Sequence, residues 1–415
     1  MGQPVRRYTL SDAEALDIAD ELAPVRSLFE LPEGVIYLDG NSLGALPRGV
    51  KARVAEVVEQ QWGQGLIRSW NSFDWIDLPS RLGNRVARLI GAPEGAVTVA
   101  DSTSINLFKA LSMALFLRPD RRVIVSEAGN FPTDTYIAQG LADLLGQGHV
   151  LRLVAPGELA TAITRDVAVV LLTEVNYRSG ARHDMAALTA YAHEMGALTV
   201  WDLAHSAGAV PLDLTVARAD YAVGCGYKFL NGGPGAPAFI YVAPDHHHGL
   251  RQPLNGWLGH RAPFAFEPDY RPAPGIEALR VGTPPILSMS ALDAALDVFD
   301  TVSIARLKAK ADVLFDLFVT EVEAQVPGLD LVSPSDPARR GSQVSFRFEQ
   351  AHAVVQAMIA RGVIGDFRGP DIMRFGLAPA YLRHADVWRA ASVLAQIMRR
   401  REWDRPEFRA HAKVV

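Results

Sequence analysis

Between about position 96 and position 228, short apolar runs bounded by turn residues alternate with longer stretches of helical periodicity. The runs VIVSEAG at 123–129, VAVVLLTEV at 167–175, ALTVWDLAHSAG at 197–208 and ADYAVGCGYK at 219–228 predict strands. Their hydrophobicity is continuous rather than alternating, which is the pattern of strands covered on both faces, as in a parallel sheet flanked by helices. The predicted class is therefore α/β. Each run ends in polar residues: Glu127 to Asp134, Thr173 to Asn176, Asp202 to His205, and Tyr227 with Lys228. Open α/β sheets bind ligands beyond the carboxyl ends of their strands, so these groups are expected to converge although they are far apart in the chain.

The flanks read differently. Ser11, Asp12, Ala13 and Glu14 predict a capped helix start ahead of an amphipathic run to Leu22. VIYLDGNSLGALP at 35–47 predicts a short strand, then a polar Gly-rich loop that serves as a turn or faces a ligand. After Thr283-Pro284-Pro285 the pattern predicts one long helix over 288–326, stopped by Pro327. Short strands follow at 343–348, 358–368 and 371–377, and then a helix over 385–400, which together make a smaller α+β lobe. The expected organisation is a segment 1–60 belonging to the small domain, a large domain over 61–284 and a small C-terminal domain over 285–415. No internal repeat or low-complexity tract interrupts it.

Composition narrows the partners. With 49% hydrophobic and 21% charged residues and a formal net charge of -5, the chain lacks the basic footprint that nucleic acids demand, and a small-molecule substrate is expected. Cys225 is the single cysteine, which excludes an intrachain disulfide and a multi-thiolate zinc site and fits a reducing compartment. The opening residues show no apolar signal core, no later stretch reaches about 18 uninterrupted apolar residues, and Arg6 stands where acylation needs Ser or Thr. A cytoplasmic location without membrane contact is expected by elimination.

The strongest chemical signal is WDLAHSAGA followed by GCGYKFLNGGPG. Pyridoxal 5'-phosphate (PLP) needs a carboxylate against its ring nitrogen, because a protonated ring is the better electron sink, and a lysine to form a Schiff base with its aldehyde. Asp202 and Lys228 suit these tasks. Alone, an Asp after a strand is ordinarily a turn or cap, and a loop Lys is ordinarily solvated; their joint placement after successive buried strands favours the cofactor. Thr103 and Ser104, in a hydroxyl-rich loop entering a helix, could hold a phosphate dianion or simply cap the helix. Phe131 could stack on a ring and Asp134 accept a hydrogen bond beside it, although buried aromatics are more often core. His205 could bond the cofactor or be a satisfied core histidine.

These segments resemble the fold-type I, class V aminotransferase-like PLP enzymes, and within them the kynureninase family. YLDGNSLGALP, DSTSINLFK, NFPTD, TEVNYRSG, WDLAHSAGAVP, GCGYKFLNGGPG, GWLGH and RVGTPPI all look like kynureninase segments in matching order. The Asp-to-Lys portion marks the broad superfamily, while NSLG, FPTD, GWLGH and RVGTPPI mark the family. The resemblance implies a large domain with a mostly parallel seven-stranded sheet, a smaller α+β domain, and hydrolysis of L-kynurenine to anthranilate and L-alanine. It further implies that Thr103 and Ser104 bind phosphate, that Phe131 stacks on the ring, and that Asp134, Thr173, Asp202, His205 and Tyr227 surround the cofactor. Trp257 and Thr283 would enter from the neighbouring subunit of a homodimer, and Arg374 would receive the substrate carboxylate, a task suited to its bidentate geometry. Tyr227 is the candidate proton donor, with phosphate binding as its alternative role.

Three other readings compete. A class V aminotransferase would consume a keto acid. A cysteine desulfurase needs a mobile nucleophilic thiol, against which the place of Cys225 three residues before Lys228 argues. A non-catalytic binding protein could keep the fold without the activity. The run His246-His247-His248 lacks spaced second ligands; solvent exposure and no metal are expected. Preference between kynurenine and its 3-hydroxy derivative stays open, with Ser42, Trp70, His260 and Thr283 as candidate contributors.

Overall fold

A computed structural model describes residues 7–410; position 6, read above for acylation, lies outside them. The chain divides into two compact units. One comprises Val50–Tyr177 and His183–Leu296; the other takes Arg178–Arg182, the residues up to Gly49 and those from Asp297 onward. Against expected boundaries at 60/61 and 284/285, the division falls at 49/50 and 296/297.

The first unit is built on a seven-stranded sheet. In chain order its strands are β1 (Val97–Val99), β2 (Val123–Glu127), β3 (Val150–Val154), β4 (Val167–Thr173), β5 (Leu198–Asp202), β6 (Tyr221–Cys225) and β7 (Ala238–Val242). Their spatial order is β1-β7-β6-β5-β4-β2-β3. Pairings from β3 through β2, β4 and β5 to β6 are parallel, while β7 runs antiparallel to both β6 and β1. The sheet is thus mostly parallel, as its continuous apolar runs predict, and every residue of β4, β5 and β6 is buried. The helix α1 (Thr103–Phe116) follows β1 and buries Leu107, Ala110, Leu111 and Ala114 in a core shared with Val169, Val200 and Val223.

The second unit carries a four-stranded antiparallel sheet of β8 (Asp330–Leu331), β9 (Gln343–Arg347), β10 (Asp366–Arg368) and β11 (Ile372–Gly376), in the order β8-β9-β11-β10. Its core packs Leu314, Phe318, Phe346, Phe375 and Leu394, with the rings of Phe318 and Phe375 edge-on at 5.2 Å.

Several local expectations are corrected. The first helix spans Leu10–Ile18 and is capped by Thr9, whose hydroxyl accepts from Asp12 N while Asp12 reaches back, so the cap lies two residues before Ser11. The long helix over 288–326 is two, Ile286–Leu296 and Ile304–Gln325, parted by a 3₁₀ turn at Asp297–Asp300. Ser303 restarts the second by accepting from Arg306 N, as short polar side chains do at helix starts. Residues read as strand over 358–368 begin inside a helix, Ala351–Ala360, before Val363–Ile364 pairs with Ile36–Tyr37 and β10 forms.

The histidine run is not a solvated tract. His246 Nε2 lies 2.8 Å from Asp220 Oδ1, and His193 Nε2 lies 2.8 Å from Oδ2, which also accepts from Thr199 N at 2.8 Å. His247 turns to Val242 O, and His248 alone of the three is exposed. Burial alone would raise the Asp220 pKa, but hydrogen bonds from the two imidazoles outweigh it and hold the carboxylate below its ordinary range. Asp220→Ala leaves these donors unpaired and is expected to cost about 3 kcal/mol at neutral pH, read by urea unfolding. A depressed carboxylate stabilises in full above its unfolded pKa of about 4 and loses that contribution as the pH falls through its folded value. A difference from wild type that kept growing below about pH 4 would contradict this account.

Candidate active site

The ends of β5 and β6 bring the predicted acid and amine together. β5 and β6 are parallel neighbours, with Asp202 in register with Val223, and Leu203 N donates to Val223 O at 2.7 Å. Beyond β6 the chain turns through Gly226, where an added Cβ would strike Pro237 O, and reaches Lys228. Only a residue without a side chain permits that approach. Lys228 Nζ then lies 3.0 Å from His205 Nε2, 5.7 Å from the centre of the Phe131 ring and 5.9 Å from that of Tyr227.

Two carboxyl groups face this amine from a dry interior. Asp202 is 3% exposed and its Oδ1 accepts from Ala204 N at 2.7 Å. Burial raises its pKa, against the pull of Lys228 and of the Ala204 N–H. Asp134 is fully buried, and neither of its carboxyl oxygens has a hydrogen-bond partner among the described residues. Burial and then the neighbouring Asp202 hold its pKa well above the ordinary carboxylate value, with Asn130 and then Lys228 opposing. Unsatisfied acids in such a place are costly unless a donor or cation completes them. A protonated ring nitrogen supplies that partner, so these residues fit the pyridine ring of PLP.

The remaining groups assemble from successive strand ends. Thr173 ends β4 in register with Asp202 and turns its hydroxyl to Val175 O at 3.4 Å. Phe131 caps the helix Pro132–Leu145 and meets the Tyr177 ring edge-on at 5.1 Å. Thr103 opens α1, whose cap is Ser102, and Ser104 shares a 2.7 Å hydrogen bond with Thr133, tying the hydroxyl-rich loop to the Phe131 segment. Burial, followed by Cys225 and Asp202, raises the Tyr227 pKa, so this phenol keeps its proton and can donate.

Other candidates have local partners. His260 is buried, accepting from Ala262 N at 3.0 Å and lying 3.2 Å from Asp269 O. Trp70 packs edge-on against Trp75 at 5.7 Å. Trp257 is 42% exposed, and the exposed Thr283 lines a cavity of about 60 Å³ that reaches Asp101 and Arg280. In the second unit, Arg374 Nε donates to Asp366 Oδ1 at 2.7 Å, and Ser42 Oγ to Asp366 Oδ2 at 2.7 Å. A larger cavity of about 840 Å³, lined by Phe108, Phe116, Leu141, Leu145, Leu250 and Tyr270, includes none of the predicted residues. Volume alone does not mark the chemistry.

Sequence reasoning missed Lys109. Fully buried on α1, it pairs with Asp101 and donates to Leu279 O at 2.7 Å, while Asn106 Nδ2 holds Ala100 O at 2.8 Å. Asp101 itself sits at φ 51°, a conformation non-glycine residues seldom adopt. The signal was present: a lysine within the apolar run INLFKALSMAL needs a buried acid.

A family model for the kynureninase C-terminal domain matches residues 307–394. The kynureninase of Pseudomonas fluorescens is 55% identical over 414 residues, 98% of this chain and 100% of that protein. The kynureninase of Burkholderia pseudomallei (strain 1106a) is 52% identical over the same shares. Among solved structures, the apo cysteine desulfurase of Thermococcus onnurineus NA1 superposes with a TM-score of 0.78 at 19% identity, covering 91% of this chain and 98% of that one. A C-DES mutant with glycine covalently linked to its PLP cofactor gives 0.79 at 18% identity, covering 89% and 98%. At such identity the structural likeness concerns the fold, fold type I.

Unlike a mobile nucleophile, Cys225 is buried, its Sγ 3.9 Å from Ala204 O, and burial raises the thiol pKa, with Lys228 opposing. The folded protein is expected to show no thiol reactive toward a disulfide reagent near pH 7.5, and one per chain after unfolding. A rapidly titrating thiol in the native protein would contradict this.

Proposed function

The chain belongs to the kynureninase family, and on that premise we propose that it hydrolyses L-kynurenine to anthranilate and L-alanine with PLP, Lys228 being the cofactor lysine. The single observation that supports this reading best is the half-buried Lys228 beside the buried acids Asp202, at the end of β5, and Asp134, in the first turn of the helix Pro132–Leu145. Activity on 3-hydroxykynurenine belongs to the same proposal, with Ser42, Trp70, His260 and Thr283 as the side chains that could sense the ring hydroxyl. So do a cytoplasmic location, which a lone buried thiol suits, and a homodimer in which Trp257 and Thr283 serve the neighbouring subunit's site. No helix among the described residues is long and apolar enough to cross a membrane.

When bound, PLP supplies an aldehyde that takes up amines and a ring that draws electrons from the substrate α-carbon. Asp202 would pair with the ring nitrogen, with Asp134 and Thr173 beside it. Thr103, Ser104 and the first N–H groups of α1 would hold the phosphate, because a helix start concentrates donors and positive potential. Phe131 would cover one ring face. Lys228 Nζ, 3.0 Å from His205, would hold the aldehyde and would serve as the base that moves the proton at the substrate α-carbon. Tyr227 donates its hydroxyl hydrogen to phosphate or to the reacting carbonyl. Arg374 would receive the substrate carboxylate. Water adds to the γ-carbonyl, the Cβ–Cγ bond breaks, anthranilate leaves, and a proton at the β-carbon completes alanine.

Purified holoenzyme given L-kynurenine and no keto acid is expected to release anthranilate, followed by its fluorescence, and Lys228→Ala to lose about 10³-fold or more in kcat. Full activity of that variant would reject the assignment, and an absolute need for a keto acid would move the chain to the aminotransferases.

A further inference from the structure

One buried cation of the first unit has no part in the chemistry described above. Lys109, on α1, is wholly enclosed, a place lysines seldom take unless paired. An ammonium carries three N–H donors, and here each has an acceptor: a carboxylate oxygen of Asp101, Asn106 Oδ1 at 3.3 Å and Leu279 O at 2.7 Å. No donor is left for a ligand, so Lys109 serves the site only through its partners.

Of these partners Asp101 bears the charge, and it stands at the entrance to α1, directly before the cap Ser102. Its φ of 51° turns the chain from β1 toward the helix, and Ala238 N holds the turn by donating to Asp101 O at 2.9 Å. The carboxylate is not sealed away with the ammonium: its side chain is 29% exposed and lines the small cavity that Arg280 also reaches. Arg280 is already balanced by Glu277 at 2.6 Å. A helix start draws anions through its free N–H groups and positive potential, and a bare carboxylate at that start competes with a phosphate dianion for both.

We propose that Lys109 is a positioning residue for the cofactor phosphate, cancelling from inside the fold the charge of Asp101 at the start of α1. With the ammonium in place the pair is neutral, and Thr103, Ser104 and the helix start offer their donors to the phosphate with no like charge beside them. Without it, Asp101 sets a negative charge against a dianion. The support runs both ways: burial lowers the Lys109 pKa, and Asp101 opposes that fall. The proposal rests on the reading that Thr103, Ser104 and the start of α1 hold the phosphate, and it gives Lys109 no contact with PLP.

Absorbance titrations of the full-length protein, stripped of cofactor, with PLP and separately with pyridoxal test this, because pyridoxal has the ring and aldehyde but no phosphate. Lys109→Met is expected to weaken PLP about tenfold and pyridoxal by less than about twofold. Adding Asp101→Asn to Lys109→Met removes the uncovered charge and is expected to bring PLP back to within about threefold of wild type. Equal losses for the two aldehydes, or a double variant that binds PLP no better than Lys109→Met, would overturn the proposal. Asp101→Asn alone gives a reading independent of how Lys109→Met folds: PLP affinity at least equal to that of wild type is expected, and a loss confined to PLP overturns the charge-cancelling role. Thr103→Ala with Ser104→Ala, if the ratio of PLP to pyridoxal affinity stayed unchanged, would instead remove the phosphate reading, whatever the Lys109 results.

Discussion

The interior of the unit built on the seven-stranded sheet depends on how two buried acids can be kept beside a half-buried amine. Asp202 and Asp134 are each destabilising alone in a dry site, since an isolated buried charge is far from repaid by its surroundings. Asp202 ends β5, Lys228 follows β6, and Asp134 lies in the first turn of the helix Pro132–Leu145 that follows β2. The fold is shaped to hold this arrangement: Glu174 N donates to Asp202 O and Leu203 N to Val223 O, so the strand ends cannot splay without breaking the sheet.

The second unit handles charge differently. There Arg368 and Arg374 converge on one carboxylate, Asp366, and the cluster is spread over a loop and two antiparallel strands rather than over parallel strand ends. One unit holds acids that await a positive partner; the other holds guanidinium groups already oriented by a carboxylate. Orientation of this kind matters because a planar guanidinium recognises a carboxylate through geometry as well as charge.

How much of this was legible in the sequence follows from burial. β2, β4, β5 and β6 were readable because both their faces are covered, which leaves unbroken apolar runs. The edge strand β3 was not, since Arg152 interrupts it and Val150 and Leu153 face outward, and β1 has too few residues to show a period. The break at Asp297–Asp300 escaped notice because no Gly or Pro marks it. Asp202 and Lys228 stood out through their place after strands, whereas the missing partners of Asp134 exist only once the chain is folded. Asp366 sits in a three-residue strand beside Arg368, where a lone acid reads as a solvated surface group.

Lys109 ties the loop at Asp101 to Leu279 O, only a few residues before Thr283. Because its ammonium is wholly enclosed, neither end of this strut can drift while the other stays put. The helix entrance and the stretch bearing Thr283 therefore behave as one mechanical piece. A change that shifts the stretch before Thr283 also pulls on the loop at Asp101 through the buried ammonium.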